Sequence, residues 1–227
     1  MIRPILITLT LAVSALAIPP GKGRAAAVPA PDLSGVAAGI APADHLNGAV
    51  IGDRLVITAR HLGAVKGQKL RVGGEAFTIV QVRPLDFSHL FGTEADVPPR
   101  SYYAAGDVAL LWVDRPFPAS VTRYPISAAI SGSVACLHED GRVATRGFGR
   151  RPIPGRRRLP AWILGDGSGY IAGDSGRPQL IWNKAFRRWE LSGVLSRIWH
   201  GEWLRLGDPR VLPTLRAAIL NPNPPTP

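Results

Sequence analysis

The sequence predicts an all-β protein, from its composition and from the spacing of its apolar runs. Hydrophobic residues make up 46% of the 227 residues and charged residues 19%, a balance typical of globular proteins. Its 25 glycines and 22 prolines separate short apolar runs, which indicates many turns and short strands. All-β units of about 200–250 residues are common, so the length alone does not require a second structural unit.

Paired strands are predicted in both halves of the chain. The run 108–113, Val-Ala-Leu-Leu-Trp-Val, is continuously apolar and predicts a buried strand. The following Arg-Pro-Phe-Pro at 115–118 predicts a break between the halves. Strand-like runs on either side of turn residues predict four hairpins: 49–51 with 55–58, 69–72 with 76–80, 133–137 with 142–145, and 179–182 with 189–196.

The beginning of the chain is typical of a secretory signal peptide. A basic start at Arg3 precedes an apolar run at 5–17 that ends in Ala-Leu-Ala, with small residues at both positions of an A-x-A cleavage site. We therefore expect a signal peptide at 1–17 and a secreted or periplasmic protein. An uncleaved anchor is the alternative, although the run is short for a bilayer span. The Pro-, Gly- and Ala-rich segment 18–44 should be irregular.

One helix is predicted, close to the other end of the chain. Asp208 and Pro209 are suited to a helix start, and apolar residues then recur on one face, which predicts a helix at 208–220. A proline is tolerated only in the first turn of a helix, so Pro213 leaves open a regular helix that begins there instead. Residues 221–227 should form a disordered tail.

The chain is strongly basic, with a formal net charge of +11 and a sequence pI of about 10.9. Such a charge favours an anionic surface partner, although a basic solvated surface is the plainer interpretation. The arginine-rich segment 150–158 has no interleaved aromatic residues, so we expect no specific nucleic-acid partner. The single cysteine, Cys136, excludes an intramolecular disulfide, and we expect no metal and no cofactor.

A serine between glycines is the first of three segments that carry chemistry. Residues 173–176 read Gly-Asp-Ser-Gly. A serine nucleophile needs an exposed hydroxyl on a tight turn, with backbone N–H groups directed at the developing oxyanion. An ordinary β-turn uses the same residue types, so this segment alone does not decide whether Ser175 is a nucleophile or a turn residue.

A histidine and an aspartate each lie at the end of a predicted strand. His61 follows the strand 55–58, and the unperturbed pKa of histidine, about 6.5, suits a general base. Asp107 precedes the apolar strand 108–113, where an acid is costly to bury unless a group such as an imidazole N–H pairs with it. The plainer interpretations are a surface histidine and a turn aspartate.

Together, and in this order, the three segments resemble those of the chymotrypsin/trypsin family of serine proteases. Residues 58–61, Thr-Ala-Arg-His, are similar to the family's Thr-Ala-Ala-His. Residues 106–111, Gly-Asp-Val-Ala-Leu-Leu, are similar to its Asp-Ile-Ala-Leu-Leu. Residues 173–176, followed by Pro178, are similar to its Gly-Asp-Ser-Gly-Gly-Pro. Weaker matches extend the resemblance over about residues 45–220.

This resemblance implies two antiparallel six-stranded β-barrels, at 45–118 and 119–207, with the active site in the cleft between them. It implies a catalytic triad of His61, Asp107 and Ser175. The backbone N–H groups of Gly173 and Ser175 would form the oxyanion hole.

The sequence departs from the family beside the serine. Arg177 replaces a second glycine, so the packing there needs an explanation. The start that activation cleavage releases in the family is not evident upstream of His61, so Asp174, its usual partner, needs another.

The substrate pocket also departs from the family's pattern. The resemblance places Gly169, Ser196 and Ile198 there. Gly169 supplies no negative charge and Ile198 should narrow the pocket mouth, so we expect cleavage after small or medium apolar residues rather than after Lys or Arg.

The sequence thus predicts a serine endopeptidase that acts on protein or peptide substrates through an acyl-enzyme intermediate. We expect a monomer without a transmembrane span after processing. Two alternatives stay open. One is an inactive protease homologue that acts as a basic binding module, and the other is a cationic wall-binding or nucleic-acid-binding module that only the charge supports.

Overall fold

The computed structural model describes residues 28–91, 105–129, 132–137, 143–148, 161–163, 173–197 and 202–221. No helix in these ranges is long and apolar enough to cross a membrane. The strands in these ranges are β1 (Val36–Ile40), β2 (Asn47–Gly52), β3 (Leu55–Thr58), β4 (Lys69–Val72), β5 (Glu75–Leu85), β6 (Val108–Val113), β7 (Gly132–Leu137), β8 (Val143–Phe148), β9 (Ala161–Ile163), β10 (Pro178–Asn183), β11 (Arg188–Arg197) and β12 (Glu202–Leu204). Helix α1 (Val211–Leu220) follows them.

The first six strands form a closed antiparallel barrel in the order β1-β2-β3-β6-β5-β4. Both hairpins expected in this half are present, as β2–β3 and β4–β5. Strand β1 lies inside the segment 18–44 that we expected to be irregular. Its central Ala-Ala-Gly carries little strand propensity, and its pairing with β2 and β4 closes the barrel.

The last six strands form a second antiparallel sheet in the order β8-β7-β10-β11-β12-β9. The hairpins β7–β8 and β10–β11 match the expected ones. The short strands β9 and β12 were not predicted from the sequence. Strand β12 pairs with β11, and β9 pairs with β12, so the two strands continue the sheet beyond β11. The described pairings leave this sheet open between β8 and β9, so a second closed barrel stays a prediction.

Strands β3 and β6 form the wall of the barrel that faces the second sheet, and both of their faces are buried. Val56 and Leu111 point into the barrel core, where they join Phe77. Ile57 and Leu110 point outward, into a second core cluster shared with the other sheet and with α1. This double burial explains why residues 108–113 are continuously apolar rather than alternating.

The helix begins at Val211, between the two starts that the sequence left open, at residues 208 and 213. Residues 205–208 form a turn, and the Asp208 carbonyl accepts the first helical hydrogen bonds, from the N–H groups of Val211 and Leu212 (both 2.9 Å). Helix α1 buries Val211, Leu215 and Ala218 in the second core cluster. At its other end, the Arg83 guanidinium of β5 donates to the backbone carbonyls of Ala218 (3.2 Å) and Asn221 (2.6 Å). The barrel therefore fastens the end of the helix.

Residues 28–35 form an amino-terminal strap across the two sheets. The indole N–H of Trp189 donates to the carbonyl of Pro29 (2.9 Å), and the Tyr124 hydroxyl donates to that of Asp32 (2.5 Å). Burial, and then the charge of Asp32, raises the pKa of the Tyr124 hydroxyl. The signal peptide expected at 1–17 lies outside the described residues.

Candidate active site

His61 and Asp107 meet because β3 and β6 are neighbours in the barrel. Thr58, at the end of β3, pairs with Ala109, near the start of β6, so the residues just beyond each strand end lie side by side. Asp107 Oδ2 is 2.7 Å from His61 Nδ1, and its Oδ1 accepts the His61 backbone N–H at 2.7 Å. A proton on Nδ1 that faces the carboxylate leaves Nε2 as the acceptor nitrogen of the ring.

Ser196, on β11 of the second sheet, completes the surroundings of Asp107. Its hydroxyl donates to Asp107 Oδ2 at 2.5 Å, and the residue is only 5% exposed. Asp107 thus receives hydrogen bonds from both halves of the molecule, which offset the cost of burying its charge. The sequence placed Ser196 in the substrate pocket, whereas the structure directs its hydroxyl to the aspartate.

The segment 173–176 forms a tight turn just before β10. Gly173 and Gly176 have φ angles of +100° and +79°, which side chains with a Cβ rarely adopt. A Cβ at Gly176 would also lie 2.6 Å from Leu62 Cδ1. The turn therefore requires glycine on both sides of Ser175 and packs directly against the neighbour of His61.

The backbone N–H groups of this turn differ in their hydrogen bonding. The Gly176 N–H donates to the carbonyl of Leu195 on β11 (2.7 Å), which fastens the turn to the second sheet. Among the described residues, the N–H groups of Gly173 and Ser175 donate to no backbone carbonyl. Two free N–H groups on one turn can bind a single anionic oxygen.

No hydrogen bond joins Ser175 to His61 within the described part of the chain. Asp107 and His61 are hydrogen-bonded, and the turn that carries Ser175 touches Leu62 beside them. The structure therefore brings the three residues to one seam between the barrel and the second sheet but leaves the serine–histidine contact unmade. Such contacts are often long in enzymes without a bound substrate.

Arg177 pairs with Asp174 under the turn. Arg177 Nε lies 3.7 Å from Asp174 Oδ1, with Asp174 fully buried and the arginine side chain 15% exposed. The arginine that replaces a glycine in the family's pattern thus supplies a positive charge to the aspartate. The amino-terminal strap, in contrast, is hydrogen-bonded to Trp189. Trp189 pairs with Trp182, at the end of β10 that is farther from the serine turn.

Asp86 lies on the barrel side of the site, beside Gly106, where a Cβ would be 3.4 Å from its Oδ1. Burial by itself would raise the pKa of the Asp86 carboxyl. Hydrogen bonds from the Ser88 hydroxyl and N–H, together with the charges of Arg60 and His89, outweigh burial and lower this pKa. Asp86 is therefore an anion close to the Asp107 segment.

Two of the expected site residues, Gly169 and Ile198, lie outside the described residues. The sequence reasoning missed Asn47, whose side chain bonds the serine turn, and it used Thr58 only as part of a motif. Asn47 carries no local signal, because its partners in the serine turn are 126 and 128 positions away in sequence.

Comparisons with known proteins support the fold. No protein-family model matches the sequence, and no curated protein matches it. Among solved structures, a mutant of human heparin binding protein (CAP37) is similar to this chain with a TM-score of 0.57 and 16% sequence identity. The match covers 86% of this chain and 94% of that one. At this identity the likeness shows the fold alone, and it supports the chymotrypsin-like fold that the motifs predict.

Proposed function

We propose that this protein is a serine endopeptidase with His61, Asp107 and Ser175 as its triad. The observation that carries the proposal is the Asp107–His61 pair at 2.7 Å beside a serine turn in which the N–H groups of Gly173 and Ser175 have no acceptor among the described backbone carbonyls. The active site lies in the cleft between the barrel and the second sheet, which we take to close into a second barrel.

In the proposed reaction, Ser175 Oγ attacks the carbonyl carbon of the scissile peptide bond while its proton passes to His61 Nε2. The carbonyl oxygen becomes an oxyanion, which the N–H groups of Gly173 and Ser175 bind. Collapse breaks the C–N bond, and His61 returns the proton to the leaving amine. Water then attacks the acyl-enzyme in the same way, releasing the acid and restoring Ser175.

The role of Asp107 follows from its contacts. Its carboxylate accepts both the ring Nδ1–H and the backbone N–H of His61, so it fixes the tautomer and the orientation of the imidazole. It also stabilises the imidazolium that forms when His61 takes the serine proton. The Ser196 hydroxyl holds the carboxylate in place from the other side.

Substrate preference and location complete the proposal. We propose a peptide or protein substrate cut after small or medium apolar residues, on the basis of Gly169 and Ile198 in the sequence. We also propose an exported monomer, on the basis of the residues typical of a signal peptide at 1–17.

A second candidate function is a binding module for anionic polymers on the same fold. The open Ser175–His61 contact and the net charge of +11 favour it. The structural neighbour is named for heparin, a polyanion, which motivates heparin as the probe. Salt-sensitive heparin binding in a protein without hydrolytic activity would establish this second function in place of the first.

The test is hydrolysis of a mixed peptide library by the wild type and by Ser175→Ala. We expect the variant to lose on the order of 10⁴–10⁶ in turnover, because it has no nucleophile. Ser120→Ala is the control, since Ser120 is exposed and lies in the link between the halves. Ser175→Ala activity within tenfold of the wild type would reject the assignment, and the cleavage profile of the wild type tests the apolar preference.

A further inference from the structure

The side chain of Asn47 reaches from the first barrel to the serine turn of the second sheet. Its Nδ2 donates to the carbonyl of Gly173 at 2.8 Å and to that of Ser175 at 3.0 Å. Asn47 is 4% exposed, so both bonds lie away from solvent. A buried amide N–H group left without an acceptor is costly, and these two carbonyls are the nearer acceptors of Nδ2, since the His45 carbonyl is 3.5 Å away.

These bonds fix the peptide planes on either side of the Ser175 N–H. The Gly173 carbonyl belongs to the peptide that joins residues 173 and 174, and the Ser175 carbonyl belongs to the one that joins residues 175 and 176. Between them, the Asp174 carbonyl accepts the N–H of Arg177 at 3.1 Å. Three consecutive peptides are therefore held, and the middle one carries the Ser175 N–H that faces the reacting oxygen in the proposed mechanism.

Asn47 also connects this turn to the strand that carries the histidine. The Thr58 hydroxyl, which is fully buried, donates to the backbone carbonyl of Asn47. Thr58 ends β3, three residues before His61. A Cβ at Gly176 would lie 2.5 Å from the same Asn47 carbonyl, so the turn packs tightly on it. The histidine strand and the serine turn thus share one network through Asn47.

We propose that Asn47 is a positioning residue that holds the Ser175 turn in its anion-binding form across the seam. This inference rests on the proposed function. An amide is suited to the task because its two N–H groups can serve two carbonyls at once, whereas an aspartate of the same shape has no donor and places a negative charge against both carbonyls.

The test compares Asn47→Asp with Asn183→Asp in the full chain. At Asn183 the side-chain Oδ1 only accepts, from the N–H groups of Ala185 and Phe186, so aspartate preserves those bonds. At Asn47 the substitution removes both donors. A displacement of the turn of about 1 Å costs about 10²-fold in turnover. We therefore expect kcat of Asn47→Asp to fall by about 10²-fold, with KM within about twofold of the wild-type value, while Asn183→Asp is unchanged.

A readout that does not depend on catalysis accompanies the kinetics. Hydrogen exchange of the peptide covering 173–177 should become faster in Asn47→Asp and stay unchanged in Asn183→Asp, since the Gly176 N–H loses protection when the turn loosens. Should Asn47→Asp fail to fold, Asn47→Ala removes the donors without adding a charge and is measured in the same way.

The outcomes separate this inference from the function on which it rests. An active wild type together with Asn47 variants of unchanged kcat and unchanged exchange rejects the role of Asn47 and leaves the proposed function standing. Variants in which kcat and KM change equally would reject positioning of the turn in favour of a general structural role. An inactive wild type would remove the proposed function and, with it, the catalytic role of Asn47.

Discussion

The barrel and the second sheet contribute to the candidate site in different ways. The barrel assembles its share within itself, because the register of β3 against β6 brings Asp107 to His61. The second sheet presents a glycine-flanked turn whose carbonyls are held by Asn47 of the barrel. The geometry of the His61–Asp107 pair therefore depends on one pair of strands, whereas the geometry of the serine turn depends on contacts between the barrel and the second sheet.

The two parts of the candidate site are therefore supported by different interactions. The His61–Asp107 pair lies where two strands with both faces buried end, so its geometry follows from the packing of the barrel. The turn at 173–176 has left-handed glycines and depends on contacts with Asn47, Leu195 and the Asp174–Arg177 pair. Changes at the His61–Asp107 pair should therefore act on proton transfer, and changes to the turn or its supports should act on the binding of the oxyanion and on stability.

The largest effect after loss of the nucleophile is expected for Asp107→Asn, which breaks the barrel's half of the site. An asparagine amide facing His61 Nδ1 favours the opposite tautomer and leaves Nε2 without its acceptor role, so kcat should fall by about 10⁴-fold. The thermal unfolding midpoint should change little, because the side chain keeps its shape. Steady-state kinetics and circular dichroism melting measure the two quantities, and a loss of kcat below tenfold would contradict the role given to Asp107.

A smaller effect is expected for Arg177→Met, which breaks the support under the turn. Removing one partner of a buried ion pair costs on the order of 3 kcal/mol, which for a chain of this size lowers Tm by roughly 10 °C. Arg177→Lys keeps the charge and should recover part of this loss. The double variant Asp174→Asn with Arg177→Met should be more stable than Arg177→Met alone, and a double variant that is less stable would show that the pair is not what holds the turn.

The smallest of these effects is expected for Ser196→Ala, which removes the hydrogen bond that crosses the seam to Asp107. A hydrogen bond to a charged group contributes about 1.5 kcal/mol or more, so kcat should fall roughly tenfold. Ser192→Ala on the same strand is the control, because its hydroxyl accepts from the Trp203 indole N–H and does not touch Asp107. Equal losses of kcat in the two variants would show that Ser196 acts only through the stability of β11.

The sequence predicted the parts of this molecule that local patterns encode. The four hairpins, the buried strand 108–113 and the terminal helix follow from apolar runs and turn residues, and the structure confirms them within a few residues. Strand β1 escaped prediction because its alanines and glycine signal no strand. Its formation depends on partners at both edges.

The candidate site was predictable only in part. The order of His61, Asp107 and Ser175 follows from three short segments, and the structure places the first two within hydrogen-bond distance. The roles of Ser196 and Asn47 were not visible, since their bonds join residues 89, 126 and 128 positions apart in sequence. The pairing of Arg177 with Asp174 was not visible either, because the sequence shows only a long side chain in place of a glycine.

The most direct test of the proposed mechanism is covalent labelling of the full chain by a fluorophosphonate probe, followed by peptide mass spectrometry. The reagent phosphonylates only a serine that a neighbouring base has activated, so it reports the Ser175–His61 pair without requiring a known substrate. We predict a single adduct on Ser175, absent from Ser175→Ala and strongly slowed in Asp107→Asn. A folded wild type that takes up no probe, or takes it up equally after Ser175→Ala, would contradict the proposed catalytic triad.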